Sequence, residues 1–592
     1  MSVALTPSPF FTWFNAQGQP AVGYQLFTYI AGTSTPQATY VDSTGLIQNA
    51  NPVVLNSAGY ASVWTVQGQT YKFVLEDANG NPVWSQDQIS GGLVLTQTSI
   101  GLLLYPITAA ETAASVIPTA YFYPPLTNYR YGATGTGSTD DTQAAKSLVL
   151  VAGQAPSNPQ LGVGTFLWSS TVLMNGTSVR LSGNGWATQV LTNQAAGDVL
   201  QVQGNQCECY DFYMNSSAVR TSGYFINLGQ AGNEFDNLRI ERVNMKNFFS
   251  GILYGGEGGT TLRILDADMT AGVSGGIGIT IQTTLNSADL LIQDMFLHGA
   301  ATGSQMATAV QVTNAGDITL NNVSTVYGGT GLNVSPGTGQ LVQALYLTDD
   351  FFDSNSGSAV NFNMTGTGSV QLVKAVNVWA CSSANGVVLS ASNAGTLRRS
   401  EWVNLIAAAN TNDGFSINDV GVTDTSLIGC AIAQNANGLV IVSTATRFKV
   451  LGCVIGGTGQ FANNTVGLTL AGLNDHFNIC DNDFSNNTTP ANIVAPVGGV
   501  AGQSWFIRGN QGIVTQAVGQ VTLTAAGTTT AVTHGLAATP AGQGIKLTPL
   551  TSWGTAASWW VSAETSSTFT VSTNANPGAG VIFGWEARIW GA

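Results

Sequence analysis

Between residues 238 and 484 a short apolar–polar alternation recurs ten times. It appears in LRIERVNM, LRILDADM, LLIQDMFL, ITLNNVST, LYLTDDFF, VNVWACSS, VNLIAAAN, SLIGCAIA, KVLGCVIG and FNICDNDF. Aligned, these segments give one apolar column through Ile240, Ile264, Ile292, Leu320, Leu347, Val378, Leu405, Ile428, Leu451 and Ile479, in steps of 23 to 31 residues. In a second column a small residue, usually Gly, precedes an alternating strand, as at Gly251, Gly278, Ala309, Gly331, Gly357, Gly386, Gly414, Gly438 and Gly467. One such unit cannot bury its apolar face alone, so recurrence at this period predicts stacked rungs sharing a core. Short strands joined by Asn and Gly turns make the stack a β-solenoid rather than a helical one.

The flanking segments alternate as well. Residues 1–97 read as short strands joined by the turns NAQGQP, NSAGY and DANGNP, with Tyr24, Phe27, Tyr29, Trp64, Tyr71 and Phe73 as the apolar face. Residues 98–130 read as a neck and extended lead-in whose one helical stretch is 109–114. The solenoid body is expected over 131–514, and 515–592 reads as a separate β unit whose Trp559, Trp560 and Trp585 fill a core or touch another copy.

Composition narrows the function classes. Only 8% of residues are charged, 44% are apolar and the net charge is −14, with 17 Lys and Arg in 592 residues. No basic run exists to neutralise phosphates, which argues against nucleic-acid binding. No apolar stretch approaches the length of a membrane span and no signal peptide is recognisable, so synthesis in a cytoplasm without membrane insertion is expected. The six cysteines fall mostly near equivalent rung positions, where a free thiol serves as a small apolar side chain, so neither disulfides nor a zinc site is expected. The three histidines are far apart in sequence, and we expect no metal or cofactor.

Two segments resemble known families. The run Tyr24-x-Leu26-x-x-Tyr29, Ala31-Gly32-Thr33, Thr35-Pro36, Tyr40, Asn51-Pro52-Val53, Gly59, Tyr71-Lys72-Phe73 and Asp77-x-Asn79-Gly80 resembles the N-terminal attachment domain of bacteriophage tailspikes and tail fibres. The run YGATGTGSTDDTQAA at 131–145 resembles the F-G-A-x-G-D-G-x-x-D-D-T-x-A-I opening of the pectate-lyase-like superfamily, with Thr136 where that pattern has Asp. Physically, Thr139 or Asp140 is placed to cap a helix starting near Thr142, and Asp141 suits its dipole, so the acidic pair reads as structural. That helix would protect the first rung from edge pairing. The resemblance implies a right-handed parallel β-helix with an N-terminal β attachment domain and a C-terminal β-sandwich-like domain. It implies also a homotrimer in a phage virion, joined to tail or baseplate proteins through 1–97 and recognising a bacterial surface polysaccharide.

Spikes that cut glycans use carboxylates about 5–9.5 Å apart, and adjacent rungs about 4.8 Å apart provide such spacing. The column two residues after the apolar one reads Arg242, Asp266, Asp294, Asn322, Asp349, Ala380, Ala407, Cys430, Cys453 and Asp481, and is best explained as stacked turns. Asp350 and Asp353, in the cluster TDDFFDSN, are expected outside that column and at the surface, as are Asp268 and Glu401. These four are the candidate catalytic groups. Trp402, Trp379 and Arg398 are the candidate sugar contacts, Trp402 because it stands beside Glu401. The same residues also suit solvated turns and an exposed Arg/Glu pair. Three functions follow: a glycan-binding receptor protein, which low charge and short rung loops favour; a glycan hydrolase or lyase on the same spike; and a purely structural tail rod or adaptor.

Overall fold

The computed structural model describes residues 3–589 apart from 93–96, 230–232, 234, 258, 272, 284–287, 300–304, 393, 443–444, 458, 472–473, 475, 494–504, 525–526, 541–543, 553 and 579. Residues 93–96, at the expected boundary between first domain and neck, thus lie outside the description. Contacts divide the chain into two compact units: 1–107 with 120–124, and 108–119 with 125–592.

The first unit holds two small antiparallel sheets, one with strands Val3–Thr12, Tyr60–Val66 and Thr39–Tyr40, the other with Val53–Val54, Gln25–Ile30, Thr70–Glu76 and Pro82–Ser90. Its core is Leu26, Val63, Tyr71, Phe73 and Leu75. Tyr71 and Phe73 face inward as expected, but Phe27, Tyr29 and Trp64 do not. Strand Gln25–Ile30 buries Leu26 and Thr28, leaving Phe27 and Tyr29 stacked on its other face with ring centroids 6.2 Å apart. The expected neck also contains a second helix, Gln97–Leu104, besides Ala109–Ala113.

The second unit is built around a parallel β-solenoid of about 13 turns. Each typical rung has three short strand segments, one per stack. In one rung, 290–293 lies in the first stack and 295–298 in the second, on either side of a corner at Asp294. Strand Thr308–Val326 then supplies 308–312 to the third stack and 318–321 to the next rung of the first. Corner residues are left-handed without being glycine: Arg242, Asp266, Asp294, Asn322 and Asp349 have φ between +50° and +56°. Asn and Asp tolerate this conformation best. Their side chains also link rungs, with Asn322 donating to Asp294 (2.7 Å), Asn377 to Asp349 (2.8 Å) and Asn404 to Asn377 (2.7 Å).

Register corrects the sequence alignment. The inward column of the first stack runs Ile240, Ile264, Ile292, Leu320, Leu347, Ala375, Trp402, Leu427, Val450 and Ile479. Val378 and Leu405 stand three residues beyond it, across the corner, and Ile428 and Leu451 one beyond. The true corner column therefore continues from Asp349 through Asn377, Asn404, Gly429, Gly452 and Asp481, not through Ala380, Ala407 and the cysteines. The small-residue column of the third stack holds at Gly278, where a Cβ would sit 2.5 Å from the Ala309 carbonyl oxygen of the next rung. Buried Asn410, Asn435, Asn464 and Asn487 form a second ladder, each carboxamide donating to the next at 2.9–3.0 Å. All six cysteines are buried and free.

Helix Thr142–Ala152 packs against strand Val172–Met174, with Leu148 and Val149 fully in the core. Asp140 accepts from the Thr142 amide (3.0 Å), and buried Asp141 accepts from the amides of Thr134 (2.7 Å) and Gly135 (3.2 Å). A buried ion pair of Arg130 with Glu111 (2.5 Å) lies beside it. At the other end, two three-stranded antiparallel sheets form the C-terminal β unit, and their Leu523, Phe569, Val571 and Phe583 continue the solenoid core. Among the described residues no helix is long and apolar enough to cross a membrane.

Candidate functional site

Strand alternation decides which side chains reach solvent. In the second stack, register aligns one outward column through Tyr213, Asn244, Asp268, Phe296, Ser324, Phe351 and Trp379. Two residues further along each strand, a second column carries Lys246, Thr270, His298, Val326 and Asp353. Asp268, Asp353 and Trp379 thus share one face of the solenoid.

Aromatic rings punctuate this face. Phe351 and Trp379 stack in adjacent rungs, centroids 5.2 Å apart and planes 9° from parallel, and the Trp379 indole N–H donates to Asp353 (2.7 Å). Phe296 is 41% exposed and packs beside His298, with centroids 4.8 Å apart. Trp186, 65% exposed, packs against Tyr213 at the first of these rungs. Between Trp186 and Phe296 lies a groove of about 560 Å³ that runs up to the corner. Asp211, Asp266, Asp268 and Asp294 line it, with Arg242 as the one cation among its lining residues. That guanidinium is already committed: it donates to Asp211 (2.6 Å) and to Glu241. Asp268 lies 3.2 Å from His298 Nε2, which is also 2.7 Å from the Thr270 hydroxyl. His298, isolated in the sequence, is thereby brought against a carboxylate.

Three expectations are corrected. Asp350 does not project from the surface. It is 1% exposed and occupies the inward position after the corner, in line with Val323. Its carboxylate accepts from the amides of Val323 (2.9 Å) and Thr348 (3.0 Å), and burial raises its pKa to about 7. Trp402 is 0% exposed and lies edge-on to Phe362 and Phe415 in the core, because it alternates inward where Glu401 alternates outward. No carboxylate-plus-tryptophan surface exists there. Glu401 and Arg398 belong to the first stack, where Glu401 lies between Lys374 and Ser426, apart from the face that carries Asp268, Asp353 and Trp379.

Spacing limits the chemistry. Asp268 and Asp353 are separated by three rungs, about 14 Å of stacking, too far to serve as the two carboxylates of one glycosidic cleavage. Asp266 and Asp294 occupy the corner in successive rungs, about 4.8 Å apart along the stack. They are turn residues, as the sequence predicts, and they also face the groove. Trp186 was missed, since it lies before the regular repeats.

No protein-family model and no curated protein matches the chain. Solved structures similar to it include the A-module of mannuronan C-5 epimerase AlgE6 from Azotobacter vinelandii, at 15% identity and TM-score 0.44 over 65% of this chain and 98% of that one. Tailspike protein 3 of bacteriophage CBA120 is similar at 12% identity and TM-score 0.45, over 65% of this chain and 61% of that one. The tailspike protein gp49 of Pseudomonas phage LKA1 is similar at 10% identity and TM-score 0.41, over 79% and 100%.

Proposed function

We propose that this chain is a phage tailspike protein that binds a bacterial surface polysaccharide along the second stack of its solenoid. The observation that carries the proposal is the outward face of that stack, on which Phe296, Phe351 and Trp379 stand together with Asp268, His298 and Asp353. Aromatic faces pack on the apolar faces of sugar rings, and carboxylates, imidazole and carboxamides bond their hydroxyls. An extended chain lying along the rungs meets both in turn. In this reading residues 1–97 attach the spike to the virion, and three copies associate. An apolar ridge supports association: Val376, Val403, Ile428 and Leu451 align in successive rungs of the first stack, on its outward side. Val376 and Ile428 are more than a third exposed.

A second reading, cleavage of the same polysaccharide, is supported by Asp266 and Asp294 in adjacent rungs of the groove, with the Asp268–His298 pair beside them. One experiment separates the two. Purified protein is incubated with host surface polysaccharide while binding and chain length are followed. Binding without shortening, weakened roughly tenfold in Trp379→Ala combined with Phe351→Ala, is the expected result. Shortening that disappears in Asp294→Asn would establish the cleaving reading. Absence of both binding and shortening would overturn the proposal.

A further inference from the structure

The groove between Trp186 and Phe296 has a charge character that bears on which glycans fit. Its lining holds four carboxylates, from Asp211, Asp266, Asp268 and Asp294, against the single guanidinium of Arg242. Arg242 offers a ligand little free charge, since Asp211 and Glu241 already bind it. The other lining groups, among them Asn244, Asn322 and Ser324, are uncharged. The solenoid has cations elsewhere: Arg239, Arg263 and Lys374 stand in one outward column of the first stack, around the corner from the groove. Among the lining residues a glycan carboxylate, phosphate or sulfate would meet four carboxylates and one committed guanidinium, while Lys246 stands outside the lining, two residues along the strand from Asn244. Like-charge juxtaposition is the usual device by which an interface rejects a wrong partner.

We infer that the groove selects glycan segments that present hydrogen-bond donors, hydroxyl or ammonium, and rejects segments bearing anionic groups. The inference rests on the glycan-binding reading and adds the chemical class of ligand to it. Trp186 and Phe296 supply stacking faces within the groove. Asp266 and Asp294 supply acceptors for O–H or N–H donors between them, and their charge excludes uronate, phosphate and sulfate.

The test uses the full chain on an array of purified bacterial surface polysaccharides, grouped as neutral, amine-bearing and anionic. The expected result is retention of neutral or amine-bearing polysaccharides only. Salt distinguishes these two sources, since binding of an ammonium weakens as ionic strength rises and binding of a neutral chain does not. In the double variant Asp266→Asn, Asp294→Asn, anionic members should gain affinity by about fivefold per charge removed. Retention of anionic polysaccharides by the wild-type chain, lost in Trp186→Ala, would overturn the charge inference and leave the glycan reading standing. Retention of none of the three groups would overturn the glycan reading and the inference with it.

Discussion

Asp350 shows how one residue can look catalytic in sequence and be structural in the fold. It sits in a charge-poor chain beside two other carboxylates, yet its place just after the Asp349 corner turns it inward. The equivalent position later in the stack carries Asn482, whose carboxamide accepts from the Cys453 amide (2.8 Å) and donates to the Val450 carbonyl (2.9 Å). Asp350→Asn, which stays neutral at every pH, should therefore fit and be more stable than the wild type at pH 7, where the buried carboxyl is partly ionised, and leave glycan binding unaltered. Burial raises the folded-state pKa of Asp350 from 3.8 to about 7, so the folded protein holds this proton more tightly than the unfolded chain. The resulting stabilisation is complete below 3.8 and lost as pH rises to about 7. The thermal midpoint should carry that slope in the wild type and lose it in Asp350→Asn. An unchanged slope would assign it to other groups. Asp268, Asp353 and Trp379 needed only alternation to be placed outward. Trp402 and Asp350 needed the register, which a local pattern does not provide.

At the scale of the element, the rung is defined by a corner as much as by its strands. The apolar column was legible from Ile240 to Leu347 because the same branched residues recur two positions before a polar corner, Arg242 in the first rung and Asp or Asn in the next four. It was lost at Ala375 and Trp402, where a small and a large side chain share the stack and Val378 and Leu405 imitate the column from beyond the corner. Trp402→Ala should cost about 3–5 kcal/mol through the cavity it leaves, and leave glycan affinity in the surviving folded protein unchanged. Ile292→Asp or Leu347→Asp buries an unpaired charge in a rung and should abolish the soluble folded protein, whereas Gln293→Asp, on the outward side of the same strand, should not. Soluble expression and thermal unfolding of the three variants check this. The Glu111–Arg130 pair beside the first rung is fully buried, so removing one partner, as in Arg130→Ala, should cost about 3–5 kcal/mol.

For the whole molecule, the parallel solenoid and its two flanking β regions were readable from repeat period, turns and the 131–145 motif. The groove was not, because it is assembled from residues 185 to 324 across several rungs and no single segment contains it. The ridge through Val376, Val403, Ile428 and Leu451 is the large-scale counterpart of that groove: outward, aligned by register, and apolar. Ile428→Lys should weaken self-association, measured by sedimentation at several concentrations, while leaving glycan binding per chain intact. An unaltered oligomeric state would remove the ridge from the interface.

The corner ladder has a consequence for how such a chain can change length. Asn377 receives nothing from its own rung that a copy of that rung could not supply; it bonds upward to Asn404 and downward to Asp349. Rungs with an Asn or Asp corner therefore offer their neighbours the same socket they occupy, and stacking through them does not depend on how many such rungs there are. Whole turns inserted beyond Trp379 would move the C-terminal sheets away from the groove without altering a contact inside it. The number of turns and the recognition surface are thus free to vary independently, as the length of a handle is independent of the key cut at its end.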